Sequence, residues 1–104
     1  MTETQRIAAG KRWIEEVFER LCCASLGTEA LVSWAWQDED PEYRIRCQLA
    51  GHAAPLYIPS QAVGFGRGQL VACGHADPEH DPARHEVEAT IRARVMVLAG
   101  TQQP

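Results

Sequence analysis

The sequence predicts a two-layer α+β domain: an N-terminal helix, an antiparallel meander of three strands with a fourth left open, and a C-terminal helix. Three observations lead there. Apolar residues recur at helical spacing near the N-terminus and again after residue 81, and between them the period drops from 3.6 to 2. Two hairpin registers, worked out independently, put their apolar residues on the same face of the sheet. Helices at both ends of a half-apolar meander have one economical place to go, its apolar face.

The first helix runs from about Thr4 to Ser25. Ile7, Ile14, Val17, Phe18, Leu21 and Cys22 form one stripe, and Arg6, Lys11, Arg12, Glu15, Glu16, Glu19 and Arg20 fill the rest of the circumference. Thr2 and Gln5 have the spacing of a capping box, and Gly27 is a natural stop. If Asp38-Glu39-Asp40-Pro41 is a four-residue loop, Trp36 opposes Tyr43, Trp34 opposes Ile45, Val32 opposes Cys47 and Ala30 opposes Leu49. If Gly51-His52 is the next turn, of the type that begins with glycine, Cys47 meets Leu56 and Ile45 meets Ile58. Pro55 and Pro59 bracket the third strand and mark it as a sheet edge, because proline donates nothing to a ladder.

Residues 60–68 read as a single turn followed by a glycine-rich loop, 69–73 as a short fourth strand, and 74–81 as loop. The final helix takes Asp81 as its cap and Pro82 as its first residue. Val87, Ile91, Val95 and Leu98 are its stripe, and Gly100 is its end. The helix-strand-strand-strand-helix order resembles the double-stranded-RNA-binding domain in topology alone. Those domains place lysines at the start of the last helix, whereas residues 82–88 here mix Arg84 with Glu86 and Glu88.

Composition narrows the function. The 104 residues suffice for one domain, 1–104, and a net charge of −4 disfavours a chain whose task is neutralising phosphates or anionic lipid. No apolar run reaches the roughly 20 residues of a membrane span, and the N-terminus lacks the pattern of a secretion signal. We expect a cytoplasmic protein with reduced cysteines at 22, 23, 47 and 73. Nine of the ten basic residues are arginine, a bias that fits a GC-rich bacterial genome.

Two surfaces could carry chemistry. The outer sheet face offers Leu31, Ser33, Ala35 and Gln37, then Arg44, Arg46 and Gln48, then Tyr57, with Arg46 between Ser33 and Tyr57. Small residues beside two arginines and a tyrosine suit stacking and bidentate contacts with a carboxylate, a phosphate or a protein partner. The same residues suit a solvated face whose arginine stems cover Leu31 and Ala35. The second surface is 73–86, where Cys73, His75, His80 and His85 offer four ligand atoms within thirteen residues. No Cys-x-x-Cys pair accompanies them and the prolines break the helix, so a polar helix-capping loop without metal is expected.

Trp34, Trp36 and Tyr43 point inward and read as core, or as the mouth of a small-molecule pocket between sheet and helices. Gly64-x-Gly66-x-Gly68 lacks the spacing of a dinucleotide loop. The acidic tip Asp38, Glu39, Asp40 and Glu42 reads as solvation of a hairpin. No complete catalytic set is present, and no cofactor is implied. The leading expectation is a non-enzymatic protein-interaction module, homodimeric through the outer sheet face. The alternatives are a small-ligand-binding domain or minor enzyme with an aromatic pocket, and nucleic-acid binding through Arg44, Arg46, Arg67 and Tyr57.

Overall fold

A computed structural model describes residues 2–39, 42–75 and 77–102. The first helix, α1, spans Glu3–Leu26. Its capping box is made at both ends: Gln5 N–H donates to Thr2 Oγ1 at 3.2 Å and Thr2 N–H to Gln5 Oε1 at 2.8 Å. Gly27 stops the helix with φ 99°, a conformation that favours glycine, and its N–H reaches the Cys23 carbonyl. Ile14, Val17, Phe18, Leu21 and Cys22 are buried as the periodicity requires.

Strands β1 (Leu31–Glu39), β2 (Glu42–Leu49) and β3 (Leu56–Ile58) form an antiparallel meander in that order. The second hairpin has the expected register, Ile45 with Ile58 and Cys47 with Leu56. Its turn differs, because His52 N–H closes on the Leu49 carbonyl and Gly51, at φ 83°, is the third residue of the turn. The first hairpin is two residues out of the expected register. Trp36 pairs with Ile45 and Trp34 with Cys47, since the ladder continues through Asp38–Tyr43 to Glu39–Glu42. Asp38 and Glu39 are therefore strand and not loop, while Asp40 and Pro41 lie outside the described residues. A slip of two preserves the face of every side chain, so the tryptophans still point inward.

A bulge between Leu31 and Ser33 then changes one assignment. The register shifts there, Leu31 pairs with Leu49 and packs on the core, and Val32 is left 64% exposed. Leu31 belongs to the inner face and not to the outer one, because the extra residue of a bulge reverses the alternation beyond it.

The segment expected to hold a strand at 69–73 is instead a helix, α2 (Arg67–Cys73), preceded by a two-residue strand β4 (Phe65–Gly66). β4 pairs with Glu42 and Tyr43, whose other side is taken by β1, so it continues the edge that β3 begins. The four-residue apolar run Leu70–Cys73 does not distinguish strand from helix by periodicity. Leu70 and Cys73, three apart, are both fully buried. Glycines allow the close approach: a methyl group at Gly10 would lie 2.0 Å from the Leu70 carbonyl oxygen, and one at Gly74 would lie 2.2 Å from that of Arg6.

A single 3₁₀ turn, Pro78–His80, leads into α3, Asp81–Gln102. Asp81 is already helical (φ −56°, ψ −40°), so it is not the cap; the extended residue before the turn is Asp77. Gly100 does not end the helix, which runs two residues further. Val87, Ile91, Val95 and Leu98 join α1, the inner sheet face, Phe65, Leu70 and Cys73 in one buried cluster. All three helices thus form the second layer, and Arg94 on α3 donates to the Tyr57 carbonyl at 3.3 Å, tying that layer to β3.

Candidate functional site

On the outer sheet face the ladder places Arg46 between Ala35 and Tyr57, one pair along from the expected Ser33. Ser33, Ala35 and Arg46 are exposed, Tyr57 and Gln48 half-buried. Ser33, Ala35, Arg46 and Gln48 line, with Pro55, a shallow groove of about 340 Å³. Arg44 is not available to a ligand. It is 6% exposed, and its two terminal nitrogens donate to Glu42 at 2.6 Å and to Glu39 at 3.2 Å. Its Nε and the Oε1 of Gln37, its neighbour across the ladder, are buried without a protein partner. The sequence carried a signal for this arrangement, since Glu42 and Arg44 are two apart on one strand and share its face.

Trp34, Trp36 and Tyr43 are brought together with α1. The Trp34 ring meets Phe18 edge-on, centroids 6.1 Å apart at 82°. Trp36 Nε1–H donates to Glu15 at 2.8 Å, which satisfies the one polar atom of the indole. Lys11 Nζ lies 5.2 Å from the Trp36 ring centroid and 5.1 Å from that of Tyr43, and pairs with Asp38 at 2.6 Å. The three rings are thus engaged by α1 side chains; Trp34 borders shallow grooves of about 340 and 510 Å³ and Tyr43 one of about 420 Å³, while a groove of about 740 Å³ runs between Leu26–Ala30 and Ala50–His52. Sequence reasoning missed Lys11 and Glu15, which stand four apart at the border of the apolar stripe. It missed Trp13 too, whose ring lies under the Arg84 guanidinium at 5.1 Å.

The Cys/His set drawn from 73–86 is dispersed. Cys73 is fully buried and His85 is exposed on α3. Burial pushes the Cys73 thiol up to about 11 against the opposing charge of Arg84. Burial likewise pushes Cys47 to about 11, and burial with Cys47 and Glu19 pushes Cys22 to about 12, so these three are inert thiols. Cys23 alone of the four cysteines is exposed.

His75 and His80 do come together, their rings stacked at 4.0 Å and 10° from parallel, and Asp77 joins them through an Oδ1–Nδ1 contact of 2.5 Å to His80. Partial burial, Arg6 and His80 hold the His75 imidazole below the ordinary histidine value, and the bond from His80 holds Asp77 below the carboxylate range. The glycine run is structural in part, since a methyl at Gly64 would lie 2.9 Å from the Tyr43 carbonyl oxygen. Arg67, offered above as a nucleic-acid contact, lies at the start of α2 with its Nε 3.7 Å from Glu3. No helix among the described residues is long and apolar enough to cross a membrane. In comparisons with protein-family models, curated proteins and solved structures, nothing matches this chain.

Proposed function

We propose that this chain is a non-enzymatic interaction module that pairs with a second copy of itself, using the free edge of β1 and the outer face beside it. The observation that carries the reading is the edge itself. β1 is a nine-residue strand with one neighbour among the described residues, and its five central residues, Ser33-Trp34-Ala35-Trp36-Gln37, bear no charge. Edge strands of monomers are ordinarily blunted along their length by charge, proline or bulges. Here the bulge at Val32 and the acids Asp38 and Glu39 blunt the two ends and leave the middle open.

An antiparallel pair centred on Ala35 is self-complementary. It sets Trp34 against Trp36 on the inner side and Ser33 against Gln37 on the outer side, and it puts Asp38 and Glu39 opposite Val32 and Leu31 instead of opposite each other. The other readings have less support, since Arg44 is neutralised by two carboxylates and the three rings pack against α1.

Light scattering across a concentration series tests this. The expected mass is twice the 11.5 kDa of the chain. Ala35→Lys and Ala35→Asp should each halve it while leaving the helical circular dichroism intact, because either places like charges face to face at the two-fold axis. A wild-type monomer at every concentration, or a dimer that both variants preserve, would end the proposal.

A further inference from the structure

We propose that His75, Asp77 and His80 form a binding site for one divalent transition-metal ion of the zinc class. Their ligand atoms all lie within 4.8 Å of one another. A tetrahedral ion with bonds of about 2.0–2.2 Å holds its donors roughly 3.3–3.6 Å apart. Side-chain rotation of the half-buried histidines and the exposed aspartate covers the difference. Asp77 and His80 are already in contact, and an ion would replace the proton they share, leaving the carboxylate and the ring nitrogen as ligands.

The backbone at His75 and at His80 is held without metal. His75 N–H donates to the Ala72 carbonyl and His80 N–H to that of Asp77, each at 3.1 Å. Gly74 is pressed against α1, where Arg6 donates to its carbonyl at 3.3 Å. Pro78 opens the 3₁₀ turn that sets His80 one turn past Asp77. Two imidazoles and one carboxylate select the class of ion. Calcium and magnesium require mainly oxygen donors, whereas imidazole suits zinc, nickel and copper. Three protein ligands at the surface leave a fourth position for water. Arg6 and the start of α3 oppose a cation here, and Asp77 with Glu79 offset them, so the site is one of moderate affinity and not a structural clamp.

The experiment is calorimetric titration of the full chain, free of any histidine tag, with zinc chloride and separately with magnesium chloride. The expected result is one zinc ion per chain and no heat from magnesium. His75→Ala, Asp77→Asn and His80→Ala should each weaken zinc by at least the roughly 10- to 100-fold that loss of a mere hydrogen-bonding partner of a ligand costs. His85→Ala should leave the affinity unchanged, with circular dichroism confirming the fold of each variant. No zinc heat in the wild type, zinc binding that survives the double variant His75→Ala/His80→Ala, or an equal loss in His85→Ala would each overturn the assignment.

Discussion

At the scale of single residues, the glycines divide into those that permit packing and those that do not. Gly10 sits in the middle of α1, where glycine costs helix stability relative to alanine. It is tolerated because the Leu70 backbone occupies the space a side chain would need. Gly10→Ala should therefore destabilise the domain by about 1–3 kcal/mol despite the better helix propensity. Gly68, in the first turn of α2, has nothing within 4 Å of where its methyl would lie. Gly68→Ala should stabilise by about 0.5–1 kcal/mol. Urea melts of the two variants, which change the same atom count, check the sign at each site; a neutral Gly10→Ala would mean that α1 and α2 separate more easily than their geometry implies.

Elements are joined by a small number of polar ties, and Arg84 is the most informative. It donates from Nε at 3.1 Å and from a terminal nitrogen at 2.9 Å to the Cys73 carbonyl, one of the unpaired carbonyls at the end of α2. Its guanidinium plane also covers Trp13 on α1. One side chain of α3 thus caps α2 and packs on α1. Hydrogen bonds that involve a charged group contribute about 1.5–3 kcal/mol. Arg84→Ala should cost that much, and Arg84→Lys should recover less than half, because an ammonium cannot make the forked contact. Denaturant midpoints measure the loss, and quenching of tryptophan fluorescence reports whether Trp13 is uncovered. Full rescue by lysine would reduce the tie to a simple charge.

For the whole molecule, the single core spans both layers, and three of its members are thiols. The 24 residues of α1 extend about 36 Å in a molecule 45 Å along its longest axis. Burial raises Cys22 to about 12 and Cys47 and Cys73 to about 11, above the ordinary 9.0. A group whose folded value is raised stabilises the fold below its unfolded value and loses that contribution as pH climbs toward the folded one. Urea midpoints should hold up to about pH 9 and fall between pH 9 and 11. A variant with alanine at 22, 47 and 73 should begin less stable at pH 7 and decline less steeply across that window. A thiol reagent at pH 8 should modify Cys23 quickly and the other three only on unfolding. Rapid reaction of two or more thiols in the native protein would contradict the burial of the core.

The local signals were legible wherever a short stretch of chain decides the outcome. The α1 capping box, its glycine stop and the inward face of Trp34, Trp36, Ile45 and Cys47 follow from periodicity and capping within a few residues, and the second hairpin keeps the expected register although its turn is built differently. What the sequence left undecided depends on parts far apart in the chain. The bulge that turns Leu31 inward and Val32 outward answers to packing under α1. The helical state of 67–73 answers to Gly10 and Arg6, sixty or more residues away. Asp77 replaces Cys73 and His85 beside the two histidines because burial of Cys73 and the turn of α3 send those two side chains elsewhere. Local propensity acts through neighbours along the chain, whereas these choices are settled by which distant atoms already occupy the space, and only the tertiary structure supplies that.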